Sequence, residues 1–208
     1  MALIKDLIVL TADKNIQFAV RGILGRHTAL GIRQINYDIF VHPERDPGCL
    51  RRSDAFLAAF RTSYSRAIVV FDREGCGREG DGRTDLESQV ESAIERAGWN
   101  VANLAVLVLD PELEVWVWSD SPEVDAALGW RGKAPDLRTW LVRNQYLREG
   151  ESKPMRPKEA MEAALRQVRR ARSSAIFQEL AEKVSVERCV DAAFLKLRQV
   201  LASWFPAS

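Results

Sequence analysis

The sequence predicts an α/β fold in which a mostly parallel sheet is flanked by helices and followed by an all-helical C-terminal region. Short apolar runs alternate with segments in which apolar residues recur at helical spacing, an order typical of parallel sheets. Beyond Trp130 apolar residues recur only at helical spacing. We therefore expect an α/β domain over residues 1–130 and a helical, basic subdomain over residues 131–208.

Length and composition restrict the class of protein. The 208 residues suffice for one full domain with a smaller appendage. No apolar stretch approaches the length of a membrane span, and the first residues carry no basic segment ahead of an apolar one. The three cysteines are widely spaced, which argues against a disulfide framework and a structural zinc site. We expect a soluble cytoplasmic protein with no membrane partner.

Charge is divided unevenly along the chain. Residues 1–130 contain 14 Lys and Arg against 20 Asp and Glu, a balance of −6. Residues 131–208 contain 16 against 9, a balance of +7. This asymmetry favours nucleic acid or an acidic partner for the C-terminal part, although a solvated helical surface gives the same count.

The first predicted strand covers Leu7 to Thr11, and a helix follows it with Phe18 and Ile23 on its apolar face. Asp13 lies between the two elements. It has two possible roles: an N-cap that accepts a hydrogen bond from the helix, or a metal ligand at the tip of the strand.

The second predicted strand, Ile35 to Val41, alternates apolar and polar residues. It ends in the proline- and glycine-containing segment 42–48, which we expect to be a loop at the same edge as Asp13. His42 and Asp46 in this loop either serve its turns or point into a site. A helix from Ser53 to Tyr64 then returns to the next strand.

The third predicted strand is the central feature of the sequence. The uninterrupted apolar run from Ala67 to Phe71 predicts a strand buried on both faces, and it is followed by Asp72, Glu74 and a glycine-rich loop. Because ligands bind outside the carboxyl ends of parallel strands, these two acids lie where chemistry is expected. Thr84 with Glu87 three residues later predicts a capping box at the next helix.

The fourth predicted strand runs from Leu104 to Leu109. Acidic and large apolar residues then alternate from Glu112 to Trp118, which suits a continuing strand with Glu112 and Glu114 on its wet face. Pro111 and the acids suit equally well a bend into a site. Ser121, followed by a proline and a glutamate, predicts a helix start.

Four helices are predicted after residue 130, at residues 135–147, 158–171, 177–184 and 189–204, with a linker over 150–157. Arginines gather near the end of the second of them, at Arg166, Arg169, Arg170 and Arg172. They form either a solvated surface or a surface that contacts nucleic-acid phosphates.

The layout resembles the TOPRIM domain, the Rossmann-like metal-binding fold of topoisomerases, primases and OLD-type nucleases. A carboxylate follows strand one, and an Asp-x-Glu, Asp72 to Glu74, follows strand three. The chain is similar in particular to a TOPRIM-like family of bacterial proteins through that motif, the segments 111–116 and 156–159, and the spacing of Cys189, Phe194 and Leu201.

The resemblance implies a Mg²⁺ site. Asp72 and Glu74 would be its ligands, and Glu112 or Glu114 would be an additional ligand or orienter. Carboxylates that converge at a partly dehydrated edge repel one another, and a hard divalent cation relieves that repulsion. Such a cation stabilises phosphoryl charge and activates water for phosphodiester cleavage.

The sequence departs from this pattern at strand one. TOPRIM enzymes usually carry there a glutamate that acts as general acid/base, followed by glycine, whereas this chain has Ala12 and Asp13. Asp13 is then the degenerate first acid of the catalytic set with Asp72 and Glu74. A shift of one residue in a strand turns the side chain to the opposite face.

The resemblance also implies a biological setting. Similar proteins occur among anti-phage defence and restriction-linked gene clusters, so we expect a component of a bacterial, methylation-associated defence system with nucleic acid and other defence-system proteins as partners. Two functions stay open. The carboxylates after strand three favour a Mg²⁺-dependent phosphodiesterase or nuclease, and Ala12 favours a non-catalytic interaction or regulatory module.

Overall fold

A four-stranded, all-parallel sheet forms the centre of the protein. The computed structural model describes residues 4–207. The strands lie in the spatial order β2-β1-β3-β4, with β1 at Lys5–Thr11, β2 at Tyr37–Val41, β3 at Tyr64–Asp72 and β4 at Leu104–Leu109. This arrangement confirms the predicted α/β fold with a parallel sheet flanked by helices. The long apolar runs in β1 and β3 are buried, and helices on both faces of the sheet are needed to cover them.

Helices connect the strands on both sides of the sheet, and they are α1 (Lys14–Leu24), α2 (His27–Leu30), α3 (Arg45–Ala58) and α4 (Arg83–Arg96). The predicted bounds of the helix before β3 were wrong. α3 starts at Arg45, inside the predicted loop, and Tyr64 already belongs to β3. Pro47 fits the first turn of α3 because the amides there have no intrahelical acceptor.

Every element that follows β4 in the described chain is helical. These are a 3₁₀ helix (Leu113–Trp116), α5 (Pro122–Ala127), α6 (Leu137–Arg143), α7 (Pro157–Gln167), α8 (Ser174–Lys183) and α9 (Ala192–Trp204). The continuation of β4 as a strand was therefore wrong, and the bend was right. The predicted start of α5 is confirmed, since the Ser121 hydroxyl accepts a hydrogen bond from the amide of Glu123 at 3.3 Å.

The helices after β4 pack on the sheet layer and share its core. α8 lies against α1, and α9 lies against β4. Leu180, Leu197 and Leu201 belong to the same buried cluster as the central strands. The boundary at residue 130 stays a prediction. No helix among residues 4–207 is long and apolar enough to cross a membrane.

Gly22 marks the closest approach of α1 to α8. A Cβ at this position would lie 2.8 Å from Ala181 Cβ and 2.9 Å from the Gln178 carbonyl oxygen. Gly22→Ala is therefore expected to reduce the free energy of unfolding by about 1–3 kcal/mol, because backbone and a short side chain cannot move aside cheaply.

Urea denaturation of Gly22→Ala and of a control variant, Gly25→Ala, tests this contact. Gly25→Ala is the control, because its new methyl group would meet only the carbonyl oxygens of its own helix, at 3.4 and 3.6 Å. An equal loss in both variants would contradict a tight α1–α8 contact.

The edge strand β4 is protected by charged side chains of α4. Glu91 Oε1 accepts a hydrogen bond from Val106 N at 3.0 Å, and Glu87 Oε1 accepts one from Val108 N at 3.1 Å. Lys196 of α9 contacts both carboxylates, at 3.0 Å each. The predicted capping box was wrong: Gly82 is the N-cap of α4, and Glu87 faces β4 instead.

Candidate functional site

Acidic side chains from all four strand ends meet at the carboxyl edge of the sheet. We call the group of Asp13, Asp46, Asp72, Glu112 and Glu114 the acidic corner. Asp13 follows β1, Asp46 follows β2, Asp72 ends β3, and the two glutamates follow β4. Parallel strands deliver their carboxyl ends to one edge, which is the physical reason for this convergence.

Asp72 lies at the centre of the acidic corner and is partly buried. Its Oδ1 accepts a hydrogen bond from Leu113 N at 2.9 Å. Burial, and then the negative charges of Asp46, Glu114, Asp13 and Glu112, raise the pKa of Asp72 well above its usual value. A carboxyl with such a pKa is typical of functional sites, and structural networks also produce it.

Asp46 is the acid that sequence reasoning left undecided. Its Oδ1 accepts a hydrogen bond from Asp72 N at 2.9 Å, which ties the start of α3 to the end of β3. Burial first, with a contribution from the charge of Asp13, raises the pKa of Asp46. The signal available in the sequence was only its place after a strand at the same edge, so nothing distinguished it from the other polar residues of segment 42–48.

The segment before Asp46 is tightly constrained. Arg45 has a φ of 52°, a left-handed conformation that is uncommon for a non-glycine residue. The buried His42 accepts a hydrogen bond at Nδ1 from Glu44 N at 3.1 Å, and a Cβ on Gly48 would lie 2.0 Å from that nitrogen. His42 therefore serves the turn, and burial lowers its pKa.

Asp13 is the N-cap of α1, one of the two roles predicted for it. Its Oδ1 accepts a hydrogen bond from Ile16 N at 2.9 Å. Its charge nevertheless reaches the acidic corner, where it contributes to the raised pKa of Asp72 and of Asp46. Capping and a place in the corner are thus compatible for this residue.

Glu74 stands apart from the corner. It is exposed, and its amide donates a hydrogen bond to the Pro111 carbonyl oxygen at 2.9 Å. Its charge contributes to the raised pKa of Glu112, after burial and the charge of Glu114. Glu74 therefore lies nearest the Glu112 side of the corner.

Glu112 and Glu114 are paired with cationic side chains of the same chain. Glu112 Oε1 accepts a hydrogen bond from Lys158 N at 3.0 Å, and its Oε2 lies 3.5 Å from Lys158 Nζ. Glu114, whose side chain is 2% exposed, forms an ion pair with Arg172. The guanidinium of Arg172 also lies over the ring of Phe177, with its Cζ 5.5 Å from the ring centroid, a distance at which a cation is attracted to an aromatic face.

The predicted magnesium ligands do not fit a divalent cation in this arrangement. Of Asp72, Glu74, Glu112 and Glu114, the last two are paired with cations and Glu74 is exposed. Among residues 4–207 no group of three or more His, Cys, Asp or Glu side chains is placed to hold a metal ion. The ion pairs of the described residues leave Asp13, Asp46 and Asp72 without a cationic partner.

The four predicted nucleic-acid-binding arginines divide into two pairs. Arg166 and Arg169 are exposed, and the ion pair of Arg166 with Glu162 on the same helix is long, at 3.8 Å. Arg170 contacts Glu179 at 3.4 Å, and Arg172 contacts Glu114. α7 ends at Gln167, before the predicted end, and Arg169 has a φ of 56°. Three of the four arginines therefore lie in the connection to α8.

Lys158 is the residue of the site that sequence reasoning missed. The segment 156–159 indicated the start of α7, and Pro157 is indeed at its first turn. Nothing in the local sequence indicated that the amide and the ammonium of Lys158 would both face Glu112, because the two residues are 46 positions apart.

Comparison with protein-family models, with curated proteins and with solved structures gave no significant match. The comparisons place the chain in no family, so its function has to be inferred from its residues and their geometry.

Proposed function

We propose that the protein is a TOPRIM-like component of a bacterial anti-phage defence system that acts on or near nucleic acid, and that it serves there as a non-catalytic interaction or regulatory module. The defence setting, including its association with methylation, comes from the family resemblance alone. The non-catalytic role rests on geometry.

The single observation that supports the non-catalytic role is the pairing of Glu112 and Glu114 with Lys158 and Arg172. Acids that are to bind a metal must offer free oxygens, and these two offer theirs to cations of the same chain. Ala12, at the position of the glutamate in the enzymes that the chain resembles, agrees with this role.

A Mg²⁺-dependent phosphodiesterase or nuclease is the second candidate. The observation in its favour is Asp72, which is partly buried, hydrogen-bonded to its neighbours and surrounded by further acids. Burial and those acids raise its pKa well above the usual value, a property that active-site carboxyls share.

Incubation of the purified protein with plasmid DNA and with single-stranded DNA, in Mg²⁺ or Mn²⁺, separates the two candidates. We expect no cleavage, and DNA binding that is unchanged in Asp72→Asn. Metal-dependent cleavage that disappears in Asp72→Asn would instead establish the nuclease, because asparagine keeps the acceptor for Leu113 N and removes only the charge.

For nucleic acid binding we predict a role of Arg166 and Arg169, which are both exposed. Replacing Arg166 and Arg169 together by alanine is expected to weaken DNA binding and to reduce the slope of log K against log salt by about 2, since each phosphate contact contributes about 0.9. The measurement is a fluorescence-anisotropy titration at several salt concentrations.

Arg131→Ala is the matched control. The exposed fraction of the Arg131 side chain is 71%, against 69% for Arg166, and Arg131 also lies beyond residue 130. If the double variant kept the slope of the wild-type protein, Arg166 and Arg169 would belong to a solvated surface and not to a phosphate-binding one.

A further inference from the structure

The strand β2 lies at one edge of the sheet, and its outer side is open. His42 N, one position beyond β2, donates a hydrogen bond to β1 at 2.8 Å, so the even-numbered residues face β1. Tyr37, Ile39 and Val41 therefore direct their backbone groups outward. Within residues 4–207, only the Ile39 carbonyl oxygen has a partner among these groups, the side-chain amide of Gln17 at 3.0 Å. We call this side of β2 the open edge.

The opposite edge of the sheet is closed. Glu87 and Glu91 of α4 accept hydrogen bonds from amides of β4 and so occupy donors that another strand would need. Within the described chain no carboxylate reaches an amide of β2 in this way. A row of unpaired backbone donors and acceptors is a template for a further strand. The open edge is thus the side of the sheet that is free to pair.

Aromatic side chains lie beside the open edge. Phe40 of β2 packs with Phe56 of α3 and with Phe60 just after α3, with ring centroids 6.0 and 5.2 Å apart. All three rings are partly exposed, and so is Tyr37 on the other face of the sheet. Two paired strands alone are only marginally stable, and aromatic residues are enriched in protein interfaces. These rings would add buried apolar area to a strand that pairs here.

The charges around the open edge favour β2 itself as the partner. Lys5 and Asp38 form an ion pair at the start of β2, at 2.6 Å, and Arg52 and Glu44 form one just beyond its end, at 2.9 Å. Antiparallel pairing of two copies brings the start of one strand beside the end of the other. In a register centred on Ile39, Asp38 faces an apolar residue of the second copy and not a like charge. An apolar strand whose charge is already paired, which β2 itself is, therefore fits this edge.

We propose that β2 pairs antiparallel with β2 of a second copy of this chain, about a two-fold axis at Ile39, and so joins two four-stranded sheets into one. Tyr37 then exchanges hydrogen bonds with Val41 of the second copy, and Ile39 with its own counterpart. This inference goes beyond the proposed function, because self-association is independent of nucleic acid and its failure would leave the DNA assays unaffected.

The first experiment measures the mass of the full chain by light scattering after size-exclusion chromatography. We expect about twice the 23.5 kDa of one chain for the wild-type protein, and the mass of one chain for Val41→Pro. Proline at this position removes an outward donor and no bond to β1, and it is tolerated on such an edge. Val101→Pro is the matched control, since Val101 is 54% exposed at the first position of a 3₁₀ helix before β4, and it should stay dimeric.

The second experiment tests the register by oxidative cross-linking. In Ile39→Cys the two new thiols would lie directly opposite, with Cα atoms about 5.5 Å apart, a separation that a disulfide spans. The same substitution at Val41 would place the thiols about 14 Å apart along the strands. We expect covalent dimers of Ile39→Cys and not of Val41→Cys, which carries the same native cysteines and is therefore the control.

Two results would overturn the inference. A wild-type protein with the mass of one chain would assign the open edge to a strand of a different protein. Cross-linking of Val41→Cys as readily as of Ile39→Cys would show that the copies meet in another register or through another surface. If Val41→Pro does not fold, as judged by its thermal unfolding, the cysteine pair still decides between these outcomes.

Discussion

Replacing Glu87 with alanine is expected to lower the free energy of unfolding by about 3 kcal/mol, because a buried carboxylate with several partners would be lost. Glu87 is 4% exposed and accepts hydrogen bonds from Val108 N and, at 2.7 Å, from Arg83 Nη1. Its other oxygen contacts Lys196 Nζ at 3.0 Å. The variant would leave a buried amide of the edge strand and two cations without this partner.

Urea denaturation of Glu87→Ala beside two further variants checks this value. Glu87→Gln keeps an acceptor for Val108 N and should lose less stability. Glu95→Ala changes an exposed residue of the same helix and should change the free energy of unfolding by no more than about 0.5 kcal/mol. The explanation would be wrong if Glu87→Ala were no less stable than Glu95→Ala.

The second large effect has the opposite sign. Asp72→Asn is expected to raise the free energy of unfolding by about 1–2 kcal/mol at neutral pH, because it removes a negative charge that burial and four neighbouring acids disfavour. The amide oxygen of asparagine can still accept the hydrogen bond from Leu113 N. A gain of this size would mean that the wild-type protein keeps an acid here at a cost in stability, as is typical of functional positions.

The effect of Asp72→Asn on stability is expected to depend on pH, and the direction in which the pKa of Asp72 is shifted sets the sign of that dependence. Because the pKa of Asp72 is raised in the folded protein, the folded state binds more protons than the unfolded state between the usual value of 3.8 and the raised value. The stability advantage of Asp72→Asn should thus be greatest above the raised pKa and should shrink as pH falls through it toward 3.8. Asp46 and Glu112, whose pKa values are also raised, add the same trend to both proteins.

Denaturation at several pH values measures this difference. Asp120→Asn, an exposed position after the same strand as Glu112, is the control and should follow the wild-type curve. An advantage of Asp72→Asn that stayed constant across the acid range would show that charge at Asp72 is not its cause.

Elements with a strong local signal could be predicted from the sequence. The run from Ala67 to Phe71 is apolar throughout, so it had to be a strand covered on both faces, and β3 confirms it. Ser121 and Pro122 start α5 because a hydroxyl acceptor and a fixed φ act within one turn. The capping role of Asp13 is local in the same sense.

Elements whose conformation depends on distant residues could not be predicted. Alternation from Glu112 to Trp118 suited a strand, but contacts with Lys153 and Pro157 hold this segment as a bend and a 3₁₀ helix. Glu87 had the spacing of a capping box, yet its Oε1 accepts a hydrogen bond from the amide of Val108 in the edge strand β4. In both cases a contact far along the chain outweighs a weak local preference.

The sequence by itself determined four parallel strands and the edge at which their acids gather, because apolar periodicity and the geometry of parallel strands leave little choice. Only the tertiary structure decided which acids remain without a cation. Asp46 belongs to the acidic corner and has no cationic partner among the described residues. Glu112 and Glu114, in the same corner, are paired with Lys158 and Arg172. Ion pairing depends on distances between side chains that lie far apart in the sequence, and no local pattern encodes those distances.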